Sequence, residues 1–219
     1  MQASWRERFS PTVVGRRLRS SLSSLLSQRS SRIADRDSLR EFLESRASFV
    51  TQTSLYGYLR TRAGMQYPIL FEDDVFVQSV NIAKWHVWLA CLSDLAVFTG
   101  GLIVRRGAAD PEQAGALMLA TVDAILEATG TPAGAGGEFS EHAQRVRARL
   151  MLCHWAGVSD DATTFSESGP ALVHWAPIVD ELKRHDEHIV SNSIRFAWQE
   201  VRRALRRDLD AAALMASAA

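Results

Sequence analysis

The stretch of sequence that decides the fold is the apolar run at residues 85–104, WHVWLACLSDLAVFTGGLIV. Its twenty residues are enough for an α-helix to cross a bilayer, and basic residues flank it, Lys84 on one side and Arg105 on the other. However, Asp94 lies in the middle of the run, where an aspartate costs ~2.5–3.5 kcal/mol on membrane insertion. We therefore predict that the run is the buried central helix of a bundle. A single-pass membrane protein through 85–104 is the alternative.

Two polar residues inside this run, His86 and Asp94, form a candidate buried polar site. Because a buried carboxylate must be paired or neutralised, Asp94 is expected to contact an arginine from a neighbouring helix or the N-terminus of a helix. His86 lies eight positions earlier, about 12 Å along a helix at 1.5 Å per residue, so the two side chains should not touch. A structural polar contact is the simpler interpretation, and a ligand-binding acid is the alternative.

Helix signals recur on both sides of the run, whereas alternating strand patterns bounded by hairpin turns are absent from the sequence. Ser38 and Glu41 have the spacing of a capping box, and Asp110 precedes a proline at the first position of a helix. The sequence therefore predicts an all-α fold, a bundle of about five helices with a separate basic amphipathic N-terminal helix. The predicted bundle helices cover about 38–63, 75–104, 111–129, 140–156 and 170–207.

Prolines and glycines set the predicted breaks. Tyr67-Pro68 predicts an extended connection, and Pro177 predicts a kink within the last helix. The glycine-rich segment 131–137 is expected to be an irregular linker. These signals divide the chain into a basic arm at 1–34, a helical bundle at 35–209 and a frayed tail at 210–219.

The arm breaks the charge balance of a chain that is neutral overall. Residues 1–34 contain seven arginines and one acid, Glu7, and so carry a net charge of +6, which leaves −6 on residues 35–219. After Ser10-Pro11, four apolar residues recur at helical spacing, and three arginines lie mostly away from them. The four apolar residues are Val14, Leu18, Leu22 and Leu25, and the three arginines are Arg16, Arg17 and Arg19.

An amphipathic basic helix of this kind suits an anionic membrane surface or an acidic protein partner. Nucleic acid is disfavoured as a partner, because the arm has few aromatic residues for base stacking and its apolar stripe would not contact a phosphate backbone. The arginine- and serine-rich composition is also typical of organellar presequences, so a targeting segment is a further alternative. The two cysteines, Cys91 and Cys153, form no CxxC pair, so neither a disulfide framework nor a zinc site is indicated. The sequence shows no secretory signal peptide, so an intracellular location is expected.

Common catalytic and metal-binding motifs are absent from the sequence. It contains no GxSxG or SxxK arrangement, and no acid lies three residues before any of the six histidines, as the helical di-iron proteins require. Glu181, His185 and His188 could share one helix face as metal ligands, but a solvated charged face is the simpler interpretation. We therefore predict no metal site, name no cofactor, and favour a non-enzymatic protein.

The stretch from Leu55-Tyr56 to Trp85-His86-Val87-Trp88-Leu89 resembles the ubiquinol–cytochrome c chaperones, helical membrane-associated assembly factors. The resemblance covers about a fifth of the chain. It implies an assembly-factor function and assigns no site residue.

The leading hypothesis is a helical accessory or assembly protein whose N-terminal arm docks on the inner face of a membrane or on an acidic protein. A helical enzyme or cofactor carrier is the alternative, with a tryptophan-lined apolar pocket that contains His86 or Asp94. Six tryptophans could line such a pocket or simply pack in the core. They are Trp5, Trp85, Trp88, Trp155, Trp175 and Trp198.

Overall fold

The computed structural model describes residues 32–218, and every regular element among them is a helix. The predicted all-α class is confirmed. In chain order the α-helices are α1 (Arg36–Ala63), α2 (Tyr67–Leu70), α3 (Asp74–Arg105), α4 (Pro111–Thr129), α5 (Phe139–Leu152), α6 (Ser168–Trp175), α7 (Asp180–Asp208) and α8 (Ala211–Ala218). Five of these helices have 14 or more residues, which agrees with the predicted number.

Helix α3 is the centre of the bundle. Every residue from 86 to 103 is buried, and α1, α4, α5 and α6 all pack against it. The helix is long and apolar enough to cross a membrane by composition, but 94% of its most apolar 18-residue window is buried inside the bundle. Helix α7 packs farther out, against α1 and α6.

The helix starts follow from local side-chain capping. Asp73 accepts hydrogen bonds from the backbone N–H groups of Val75 and Phe76 at the start of α3. Helix α4 begins with a reciprocal cap between Asp110 and Gln113. The predicted Ser38–Glu41 capping box is wrong, because Asp35 is the N-cap of α1 and Ser38 is its N3 partner.

Three predicted boundaries differ from the structure. Residues 67–70 form α2 instead of an extended connection, because Pro68 occupies a first-turn position where no backbone N–H is needed. The helix predicted at 140–156 ends at Leu152, after which Cys153 is extended. The helix predicted at 170–207 is two helices, α6 and α7, because the residue before Pro177 is forced into an extended conformation.

Both ends of the described chain belong to the packed bundle. The Ile33 N–H donates to the carbonyl of Asp208 at 2.8 Å, and the Asp210 N–H donates back to the Ile33 carbonyl at 2.9 Å. Ile33 and Leu214 are fully buried. Residues 32–34, which the sequence assigned to the arm, therefore pack as part of the bundle, and the tail predicted to fray forms α8.

Two glycines, one on α3 and one on α4, make room for a tryptophan side chain between these helices. The indole of Trp155 lies against Gly100 on α3 and Gly115 on α4, and a Cβ atom on either residue would overlap that ring. A Cβ on Gly100 would also lie 2.9 Å from Cγ of Met118. Gly57, in the middle of α1, has open space where its Cβ would be.

These surroundings predict opposite effects for the same substitution. Gly57→Ala should stabilise the protein by roughly 0.5–1 kcal/mol, because alanine restricts the unfolded chain and favours a helix. Gly100→Ala should destabilise it by about 1–3 kcal/mol, because overpacking against Trp155 outweighs that gain. Urea unfolding of both variants measures the two effects. A stabilised Gly100→Ala protein would contradict the close packing of Trp155 against Gly100.

Candidate functional site

The carboxylate of Asp94 caps the N-terminus of another helix. It is completely buried on α3 and accepts hydrogen bonds from the backbone N–H of Ser168 at 2.8 Å and of Glu167 at 3.2 Å. These two residues begin α6, which has no side-chain cap of its own. Asp94 therefore supplies from α3 the acceptor that an N-cap residue normally supplies locally.

Arg149 on α5 is the counter-charge of this site. Its Nη1 donates to Asp94 and to the hydroxyl of Ser93, both at 2.8 Å. Its Nη2 contacts the carbonyl of Thr164 at 3.3 Å, and the guanidinium forms an ion pair with Glu167. One arginine thus joins α3, α5 and the segment that leads into α6.

The prediction that Asp94 would meet an arginine or a helix N-terminus is confirmed, and both partners are present. Burial raises the pKa of Asp94, while Arg149 and the Ser168 N–H oppose that rise by stabilising the carboxylate. Ser168 also accepts a hydrogen bond from the indole N–H of Trp198 on α7 at 3.0 Å. The hydrogen bonds that begin at Asp94 therefore extend through Ser168 to α7.

His86 forms a second polar contact, nearer the N-terminus of α3. Its Nδ1 lies 2.9 Å from Nδ1 of His142 on α5, and the indole of Trp175 stacks on its ring with centroids 3.6 Å apart. His86 is fully buried, whereas His142 is partly exposed. As predicted, His86 and Asp94 have separate partners.

The histidine pair is held in its neutral form. Burial lowers the pKa of His86, and burial together with the neighbouring His86 lowers the pKa of His142 to about 4. One Nδ1 must then donate and the other accept.

These two polar contacts, one at Asp94 and one at His86, fix α5 and α6 on α3. Asp94 meets Arg149 and Ser168, and His86 meets His142 and Trp175. The two positions are eight residues apart on α3 and seven apart on each of the other helices, about 11–12 Å in every case. Helix α5 therefore runs parallel to α3 here, and α6 runs antiparallel.

A cleft of about 410 Å³ lies between these two polar contacts. Ala90, midway between His86 and Asp94, contributes to its floor, and Val146 and Ala171 contribute to its walls on α5 and α6. Polar and aromatic groups surround these apolar residues: Glu138, His142, Arg145, Glu167, His174 and Trp175. The cleft has the size and the mixed lining of a small-molecule site.

The tryptophan-lined pocket predicted from the sequence differs from this cleft. Trp175 lines the cleft, whereas Trp88, Trp155 and Trp198 are buried in the core. His86 and Asp94 lie behind the lining, each engaged with other side chains. Sequence reasoning missed His142, Arg149 and Ser168, because nothing in their spacing relates them to α3.

A second buried acid, Asp186, lies between α1 and α7. It accepts hydrogen bonds from Arg62 and from the hydroxyl of Tyr58, the latter at 2.8 Å. The neighbouring Glu181, His185 and His188, considered above as metal ligands, are exposed. Among residues 32–218 no group of three histidine, cysteine or acidic side chains is placed to hold a metal ion.

The residues predicted to contact a membrane or partner lie outside the described part of the chain. They are Val14, Leu18, Leu22, Leu25, Arg16, Arg17 and Arg19. Comparison of the chain with protein-family models, with curated proteins and with solved structures gave no match. The resemblance to the ubiquinol–cytochrome c chaperones thus stays a prediction from the residues quoted above.

Removing the charge of Asp94 should be costly. We expect Asp94→Asn to lower the free energy of unfolding by about 3–5 kcal/mol, because Arg149 loses its buried counter-charge and α6 loses part of its cap. Glu141→Gln is the control, since it breaks an exposed ion pair to Arg145 on the same helix and should have little effect. Equal losses in the two variants, measured by urea unfolding, would contradict the assignment.

The histidine pair predicts sensitivity to acid. The folded protein keeps His142 neutral down to about pH 4, whereas an unfolded histidine takes up a proton near its ordinary value of 6.5. The unfolded state therefore binds more protons in this window, and the free energy of unfolding should fall as the pH is lowered through it.

The measurement is urea unfolding between pH 7.5 and 4.5. His142→Asn should flatten the pH dependence, because asparagine does not titrate and can still hydrogen-bond to His86. His185→Asn, on the exposed face of α7, should leave the dependence as in the wild type. If His142→Asn shows the wild-type pH dependence, the histidine pair is not the source of that dependence.

Proposed function

We propose that the protein is a non-enzymatic helical accessory or assembly protein, which docks through its N-terminal arm on the anionic inner face of a membrane. An acidic protein partner is the second kind of surface that the same arm could bind. The observation that carries the proposal is the separation of charge: residues 1–31, which precede the packed bundle, carry +5, and the remaining 188 residues carry −5. Basic amphipathic segments bind anionic surfaces, and each basic residue near the surface adds about 1 kcal/mol.

The chemistry of the bundle supports a non-enzymatic function. Asp94 and Arg149 satisfy one another and the backbone of α6, and His86 and His142 satisfy one another at Nδ1. These buried polar groups hold helices together, as structural ion pairs commonly do. The burial of α3 inside the bundle favours this proposal over the single-pass alternative.

Flotation with liposomes tests the membrane proposal. The full-length protein should float with vesicles that contain phosphatidylserine, and flotation should weaken as salt is raised, because salt screens the arginines. The full-length variant Leu18→Ser/Leu22→Ser should lose flotation, since it removes two residues from the apolar stripe.

Met151→Ser is the matched control, because Met151 is an exposed apolar residue on α5 and lies outside the arm. It should float as the wild type does. If the leucine variant floats as well as the wild type, the arm is not the anchor. If the wild type does not float at low salt, the membrane surface is excluded and the acidic protein partner remains.

A second candidate function, as a carrier of a small ligand or cofactor, is favoured by the cleft between the Asp94 and His86 contacts. Its volume of about 410 Å³ falls within the range of small-molecule sites, and two histidines, His142 and His174, belong to its lining. Absorbance spectra and metal analysis of the purified protein would reveal a chromophore or a stoichiometric metal. Ala171→Leu should fill the cleft and displace any such group, whereas a colourless, metal-free protein would weigh against this function.

A further inference from the structure

Helix α7 carries a second apolar stripe that the bundle does not bury. Its inner face packs through Val190, Ile194 and Trp198, as expected for an outer helix. Leu182, Ile189 and Phe196 lie on another face and expose 39%, 66% and 71% of their surface. They are spaced by seven residues, and seven residues make nearly two whole turns, so the three side chains form one line about 21 Å long.

Such a line is not needed for the fold. Isolated exposed apolar residues are common, but three large ones at heptad spacing line up on one side of the helix, as the residues at one core position of a coiled coil do. The residues three positions after them, His185, Asn192 and Gln199, are polar, which limits the exposed apolar surface to a narrow stripe. This width suits a single partner helix.

We propose that the stripe binds a second copy of the chain, with the two α7 helices antiparallel and related by a two-fold axis at Ile189. The spacing of the stripe is symmetric about this residue, because Leu182 lies seven residues before it and Phe196 seven residues after it. An antiparallel pair therefore places Ile189 against Ile189, and Leu182 of each copy against Phe196 of the other. Every exposed apolar residue of the stripe meets another one, as a two-fold interface requires.

The charges along α7 favour this orientation. Glu181 lies eight residues before the axis, about 12 Å along the helix, and Arg195 lies six residues after it, about 9 Å. Both side chains are exposed. In the antiparallel pair the two positions differ in height by only about 3 Å, so Glu181 of one copy faces Arg195 of the other. In a parallel pair, Glu181 of one copy and Arg195 of the other would instead lie fourteen residues apart in height, about 21 Å, so this contact could not form.

A groove of about 240 Å³ lies beside the axis, between α1 and α7. Ile189 and Ser193 line it from α7, and Gly57 and Thr61 line it from α1. A Cβ atom at Gly57 would have no other atom within 4 Å. The outward side of α7 at Ile189 is therefore not covered by α1.

Sedimentation equilibrium of the full-length protein at about 1–100 µM tests the proposal. The wild type should be a dimer at the upper end of this range. Ile189→Asp should weaken dimerisation at least ~100-fold, because it places two carboxylates at the centre of the interface. Met151→Asp, an equally exposed apolar position on α5, should dimerise as the wild type does, and circular dichroism should show both variants folded.

Charge exchange tests the orientation. Glu181→Arg and Arg195→Glu should each weaken the dimer about tenfold, because each places like charges together at two symmetric positions. The double variant Glu181→Arg/Arg195→Glu should restore wild-type affinity. A double variant as weak as the single ones would overturn the antiparallel arrangement.

A wild type that stays monomeric at 100 µM would overturn the proposal as a whole. A lipid surface or a different protein on the stripe would give that result, because neither is present in the sample. A wild-type dimer that Ile189→Asp leaves intact would also overturn it, since the copies would then meet elsewhere.

Discussion

The negative charge of Asp94, placed in the middle of the most apolar helix of the bundle, is the constraint on which the arrangement around α3 depends. A carboxylate in such a position must be compensated by hydrogen bonds and a counter-charge. Here the compensation comes from two separate segments: the side chain of Arg149 on α5, and the backbone N–H groups of Glu167 and Ser168 at the start of α6. Satisfying one buried charge therefore fixes where α5 lies and where α6 begins.

The histidine pair completes this arrangement at the other end of α6. Since Trp175 stacks on His86 and Ser168 is held by Asp94, the eight-residue helix α6 is attached at both ends. A short helix has little stability by itself, so these attachments decide its position. The space between them, over the small residue Ala90, forms the cleft. The polar residues of α3 thus explain both the packing and the shape of this surface.

Much of the fold could be predicted from the sequence because its signals are local. The caps at Asp73 and Asp110, the glycine ends at Gly64 and Gly130, and the apolar run of α3 each act within a few residues. The errors arose where tertiary contacts decide the outcome. Residues 211–218 form a helix because Leu214 packs in the core, which an alanine-rich composition does not reveal.

The candidate site was predictable only in part. That Asp94 needs an arginine or a helix N-terminus follows from the energetics of burial, and both were found. Which arginine, among twenty-three in the chain, depends on how α5 is aligned with α3. The pairing of His86 with His142 depends on the same alignment and joins residues 56 positions apart. Neither histidine shows a metal-ligand spacing that could have revealed the other.

Hydrogen exchange of Asp94→Asn, compared with the wild type, tests most directly whether Asp94 holds α6 on the bundle. The account predicts that the amides at 168–175 become exposed through a local opening, at a free energy well below that of global unfolding. The amides of α1 should continue to exchange only through global unfolding. If instead all amides change by the same amount, Asp94 contributes general stability and does not position α6.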